Sequence, residues 1–273
     1  MTIALTRFAA RAGDHNDRAM QATPLLTAVL SEKLPAKPIV IGEPQPASPT
    51  SWDQELRIAR PSFRQMAAHY DRILTGGLRP VTVLSRCAVS LATLPMIAKH
   101  RPDAVVLWFD AHADLNTPEN TTTGYLGGLA LSGPLGLWNS GLGNGLAECN
   151  TILVGTRDMD DPEQELIDAG RVGLVPVGQD MADRLLRIVA GRPVYIHVDC
   201  DVLDPGTVPT DYTVAAGMTL SQLKHCAQAL TGSEILGIEV GELETDDAGS
   251  PGADRPARLI VDALEPLLQR LNQ

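Results

Sequence analysis

Two short acidic stretches carry the chemistry of this 273-residue chain. The first, Asp110-Ala111-His112-Ala113-Asp114, directly follows the apolar run Ala104 to Phe109. The second, Asp199-Cys200-Asp201, follows Pro193 to Val198 and leads into Leu203-Asp204-Pro205. Each reads as a buried strand that runs out into carboxylates. If the backbone stays extended past the strand, Asp110, His112 and Asp114 fall on one side, because side chains alternate along a strand. Carboxylates gathered at buried strand ends are costly unless a multivalent cation compensates them. Asp and His together are donors for Mn²⁺, Zn²⁺, Ni²⁺ or Fe²⁺. Two divalent ions would balance Asp110, Asp114, Asp199 and Asp201, with Asp110 and Asp199, first in their motifs, as natural bridges. Such a pair, roughly 3.5–4 Å apart, shares a water and acidifies it toward neutrality, which suits hydrolysis of a resistant carbon centre. A lone D-x-D is ordinarily a turn or a helix cap. Two of them, each closing a buried strand, point to a binuclear metal site.

The elements that must position these residues can be read in chain order. Strands are expected at Ile3–Phe8, Pro38–Ile41, Val81–Leu84, Ala104–Phe109, Thr151–Gly155, Val172–Val177, Pro193–Val198 and Ile235–Val240. Helices are expected at Arg18–Leu34, Trp52–Leu74, Val89–His100, Pro162–Ala169, Gln179–Ala190, Thr219–Leu230 and Arg258–Leu271, the second kinked or broken by Pro61. Strands alternating with helices imply a parallel sheet covered on both faces. There is no internal repeat and no dividing linker, so residues 1–273 are read as one three-layer α/β/α domain. In open parallel sheets, function gathers at the carboxyl ends of the strands. Besides the two motifs, Ser85-Arg86-Cys87 and Glu242 follow strands in this way.

The bulk properties limit the partners. A hydrophobic content of 44% with 20% charged residues is that of a soluble globular protein. A formal charge of −11 argues against nucleic acid and anionic membranes. No signal peptide or membrane span is legible. Cys87, Cys149, Cys200 and Cys226 are scattered without a CxxC pair, so a reduced, cytoplasmic protein is expected.

The motifs DAHAD and HVDCDVLDP resemble the signatures of the ureohydrolase (arginase/agmatinase) superfamily. The resemblance runs from the first strand to Glu242. It implies an α/β/α fold with a mostly parallel sheet of about eight strands, a binuclear manganese centre and hydrolysis of a guanidino or formimino group. By the same likeness, one metal would be held by Cys87, Asp110, Asp114 and Asp199, and the other by Asp110, His112, Asp199 and Asp201. Asp114 would orient the attacking hydroxide, and Glu242 would pair with the guanidino head. Asn116 and Thr123, with Thr121 through water, look like the loop that binds a substrate α-carboxylate. Asp158 and Asp160, joined by Glu163, resemble the segment that receives the α-ammonium. A small amino-acid substrate is implied, which disfavours agmatine.

Three departures from the family pattern narrow the expectation. Cys87 stands where the family places a histidine ligand; a thiolate is a soft donor that suits Mn²⁺ poorly, so one ion would be weakly bound. Gly127 stands where arginase carries its proton-shuttling histidine, which leaves nothing in that loop to protonate a leaving amine. The chain stops at Gln273, short of arginase's extended tail, and its subunit count stays open. A weakened site favours a more electrophilic substrate, and an N-hydroxylated guanidine is less basic and more easily attacked. The chain therefore looks most like the superfamily members that split Nω-hydroxy-L-arginine into L-ornithine and hydroxyurea for D-cycloserine biosynthesis. Plain arginase activity and a non-catalytic homologue are the alternatives. His197 is read as a supporting or core residue, Cys200 as core, and Arg86 as a partner for a nearby carboxylate.

Overall fold

The computed structural model describes residues 3–273. Strands β1 (Ile3–Phe8), β2 (Ile39–Ile41), β3 (Arg79–Val83), β4 (Val105–Phe109), β5 (Thr151–Val154), β6 (Gly173–Val175), β7 (Val194–Asp199) and β8 (Ile235–Gly241) form one sheet, ordered β2-β1-β3-β8-β7-β4-β5-β6. Every pairing is parallel. The helices are α1 (Arg18–Lys33), α2 (Trp52–Thr75), α3 (Ser90–His100), α4 (Asp161–Asp168), α5 (Met181–Val189), α6 (Leu220–Leu230) and α7 (Arg255–Leu271). Alternation along the strands divides the core in two. Val105, Leu107 and Phe109 of β4 pack with α1, α5, α6 and α7 on one face, whereas Val106 and Trp108 pack with α2 and α3 on the other. The three-layer α/β/α architecture is thus the one expected from the sequence.

The central strands are buried on both faces, and for that reason they read as unbroken apolar runs rather than alternating ones. The sheet order places β4 and β7 side by side, with Phe109 in register with Val198. β8 lies against the other edge of β7, aligning Gly241 with Asp199. The two motifs and Glu242 therefore leave the sheet at adjoining strand ends.

Pro61 neither breaks nor ends α2, which runs unbroken from Trp52 to Thr75. A buried apolar face that includes Leu56, Ala59, Phe63, Met66 and Tyr70 holds the helix together across the missing donor. Cys149 is exposed, Cys87, Cys200 and Cys226 are buried, and all four are free. Among the described residues no helix is long and apolar enough to cross a membrane.

The register that carries Glu242 relies on a close approach of β8 to β3. A Cβ added to Gly237 would lie 2.7 Å from the Pro80 carbonyl oxygen and 2.7 Å from its ring. Gly237→Ala is expected to cost about 1–3 kcal/mol through overpacking, measurable as a lowered midpoint in urea unfolding; a midpoint within error of the parent would contradict this packing.

Candidate metal centre and substrate pocket

The two motifs converge through turns and not through extended backbone. The Asp110 carboxylate accepts the His112 amide at 2.7 Å, and Asp199 accepts the Asp201 amide at 2.7 Å. These paired Asx turns bend each chain back over its own strand end. After Asp199 the backbone enters a short 3₁₀ turn, Cys200–Val202, and Asp114 has φ 53°. The expectation that Asp110, His112 and Asp114 share one side of an extended strand is therefore corrected. Carboxylates seeking amide donors outcompete strand geometry once the ladder ends.

The resulting cluster is close-knit. Asp201 accepts the Ala111 amide at 3.1 Å and faces His112 Nδ1 at 3.0 Å, with Asp110 at 3.4 Å from the same nitrogen. Cys87 Sγ lies 3.1 Å from Asp199 and 3.1 Å from His197 Nε2. Three sets of donor atoms are near enough to share an ion: Asp110/His112/Asp201, Cys87/Asp199/Glu242 and Cys87/Asp110/His197. Asp114 lines the same pocket as these groups.

Electrostatics says what this cluster requires. Burial raises the pKa of Asp110, Asp114 and Asp199, and mutual repulsion among the carboxylates raises them further. Burial opposes charge on His112, but its bonds to Asp110 and Asp201 outweigh this and push its pKa up to about 12. Burial, then the surrounding carboxylates, raises the Cys87 thiol as well. Buried acids held protonated by one another fit a site made for divalent cations, which replace the shared protons.

His197, read from the sequence as a supporting residue, is central to this arrangement. Its ring stacks on Trp108 at 3.6 Å, and Nδ1 faces the fully buried Glu239 carboxylate at 2.8 Å. Burial works against the Glu239 charge, yet bonds from His197, Ser90 and Tyr195 hold its pKa below the usual range. Trp108 in turn donates its indole N–H to Asp110 at 3.0 Å. A Glu239–His197–Cys87 chain thus orients the sulfur from behind. Sequence alternation placed His197 on the correct face but could not show that β8 supplies its partner.

Arg86, read from the sequence as a partner for a nearby carboxylate, meets several. It is fully buried and donates to Glu242 at 2.7 Å, Glu244 at 2.9 Å and Asp14 at 3.2 Å. The other Glu242 oxygen accepts the Cys87 amide at 2.7 Å, and Glu242 has φ 62°. The carboxylate expected to meet a guanidinium is already paired with one from its own chain.

The remaining pocket wall contains most of the expected substrate residues. Asn116, Thr123, Asp158 and Asp160 line it; Thr121 does not, its hydroxyl instead accepting the Gly124 amide at 3.1 Å. Asn116 donates to Asp160 at 2.7 Å, and its Oδ1 is buried without a partner among the described residues. Glu163 also lines the pocket and accepts the Leu115 and Asp160 amides at 2.8 Å each, which fixes its carboxylate in the loop. Arg157 ties this segment to the second motif, donating to the Asp201 carbonyl at 3.1 Å. Tyr125 and Tyr212, unforeseen in the sequence, close the pocket beside His112 and Gly127.

Two outcomes follow. Protons must leave Asp110, Asp114, Asp199 and His112 when a cation enters, so Mn²⁺ affinity measured by calorimetry should rise between pH ~6 and ~8.5 with release of protons; affinity independent of pH would contradict the reading. Asp114 also combines strained backbone with a crowded charge. Asp114→Asn should raise the unfolding free energy of the metal-free protein by about 1 kcal/mol while abolishing turnover; a destabilised variant would show that the carboxylate serves structure.

The arginase family profile matches residues 29–264. The chain is 42% identical over 237 residues to the N(omega)-hydroxy-L-arginine amidinohydrolase of Streptomyces lavendulae, covering 87% of this chain and 86% of that one. Among solved structures, arginase from Bacillus subtilis superposes with a TM-score of 0.84 at 19% identity, covering 98% of each chain. The proclavaminate amidino hydrolase of Streptomyces clavuligerus gives 0.72 at 15% identity, covering 100% of this chain and 93% of that one. At these identities the two solved structures speak for the fold alone.

Proposed function

The chain belongs to the arginase family, and from that premise we propose that it hydrolyses the guanidino group of Nω-hydroxy-L-arginine, giving L-ornithine and hydroxyurea. The observation that carries the substrate choice is the Arg86–Glu242 pair at 2.7 Å. A cationic guanidinium would have to share Glu242 with a buried arginine and meet that arginine's charge. An N-hydroxyguanidine is less basic and enters more readily uncharged, so it makes no such demand. The 42% identity to a hydroxyarginine amidinohydrolase supports the same choice.

In this reading Cys87, Asp110, Asp114 and Asp199 would hold one divalent cation, and Asp110, His112, Asp199 and Asp201 the other. We take both to be manganese, more weakly held on the cysteine side because a thiolate suits it poorly. Bound there, the cations would supply Lewis acidity and acidify water near neutral pH. The chain's own groups do the rest. Asp114 orients the attacking water and takes its proton, while Glu242, fixed by Arg86 and the Cys87 amide, aligns the guanidino carbon. Asp158, Asp160, Asn116 and Thr123 receive the amino-acid end, and Thr121 holds their loop through Gly124. The substrate is a free amino acid, met in the cytoplasm.

A panel of L-arginine, Nω-hydroxy-L-arginine, agmatine and N-formimidoyl-L-glutamate, assayed with added Mn²⁺, tests the proposal. Hydroxyarginine should exceed arginine in kcat/KM by at least ~10-fold, with the other two near background. Faster hydrolysis of arginine would make this an ordinary arginase, and no turnover of any compound would make it a non-catalytic homologue.

A further inference from the structure

Tyr125 has a hydroxyl without a partner among the described residues. Its oxygen is buried and makes no hydrogen bond among the described residues, and the residue lines the pocket shared by Cys87, Asp199 and Glu242. The ring is held on two sides, by His15 at 4.6 Å and Tyr212 at 5.6 Å between centroids. Gly127 makes the position possible. A Cβ there would fall 2.3 Å from Cε1 and 2.9 Å from Cζ of the Tyr125 ring, so no larger residue at 127 is compatible with it. The phenol fills the space that the glycine leaves, so the loop that lacks a group to protonate a leaving amine still carries a hydrogen-bond donor.

Burial, and next the Glu242 charge, hold the Tyr125 pKa well above the ordinary value against the pull of Arg86, so the phenol keeps its proton. A neutral phenol is a donor that needs an acceptor. A guanidinium cation offers only N–H donors and no lone pair. An N-hydroxyl offers an oxygen that accepts and an O–H that donates.

We infer that Tyr125 is the specificity-determining residue of this pocket, its O–H donating to the N-hydroxyl oxygen of the substrate. This rests on the reading that an N-hydroxyguanidino head occupies the pocket. Arginine in the same place leaves the phenol unsatisfied, and sites that bond a substrate hydroxyl reject analogues lacking it far more strongly than apolar pockets reject a missing methylene. Selection thus comes from two independent sides: Arg86 disfavours a cation, and Tyr125 requires an acceptor.

Tyr125→Phe removes only the hydroxyl and keeps the ring over Gly127. With the Mn²⁺-loaded protein, kcat/KM for Nω-hydroxy-L-arginine should fall by roughly 10- to 100-fold, while that for L-arginine stays within about twofold. Equal losses for both substrates, or no loss for either, would overturn the assignment. Gly127→Ala, which forces the ring aside while leaving the phenol intact, should lower the same ratio and decides the matter if the phenylalanine variant does not fold. Calorimetric titration of both amino acids gives the preference without turnover. If the parent hydrolyses neither but binds hydroxyarginine more tightly, and Tyr125→Phe loses that preference, the hydrolytic reading fails while the role of Tyr125 stands. No preference in the parent removes both.

Discussion

The crowding of carboxylates at the ends of β4 and β7 is the constraint around which the rest is arranged. Asp110, Asp114, Asp199 and Asp201 are all nearly inaccessible, and like charges so placed cannot all ionise without compensation. Part of that compensation is local. Backbone amides of Ala111, His112 and Asp201 donate into the cluster, and His112 bridges two of the acids. The register of three central strands brings the motifs together, and left-handed backbone at Asp114 and Glu242 turns their side chains inward. Packing of the doubly covered sheet supports these strained residues. The raised carboxylate pKa values show that the local compensation is incomplete, which is the condition a cation site needs.

A second electrostatic unit adjoins the first and works differently. Arg86 sits wholly inside the protein among Asp14, Glu242 and Glu244, a cation satisfied on several sides by its own chain. A buried ion pair of this kind contributes little net stability, but removing one partner leaves a charge without relief. Its value lies in what it denies to a ligand. On the proposed reading, Glu242 keeps its orientation and is less open to a cationic head group, so the pocket combines carboxylates fit for metal with an acid already paired.

Much of this was legible in the sequence, for identifiable reasons. Strands buried on both faces appear as apolar runs, and every strand read that way is present within a residue or two of its expected ends. DAHAD and DCDVLDP carry chemistry through residue type and local spacing, so their meeting could be foreseen. Arg86 and Glu242 lie 156 residues apart in the chain, and only the β3–β8 pairing reveals their contact. Tyr125 left no sequence signal of its own; the sign was the glycine at 127, readable as a loss but not as room for a neighbouring ring. The turn geometry of the motifs escaped an argument based on strand alternation, because alternation ends where the ladder ends. Pro61 does not break its helix for the opposite reason, since a long buried face can carry a helix past one missing donor.

The stacking of His197 on Trp108 has a consequence for how such a site can change over time. Cys87 lies 3.1 Å from an imidazole that is itself pressed against an indole and anchored to Glu239. Space behind position 87 is therefore already occupied by a histidine ring. A lineage could not exchange the thiol for a second imidazole in one step without also shrinking or displacing residue 197. Substitutions at positions 87, 108, 197 and 239 are therefore expected to depend on one another, in order as well as identity.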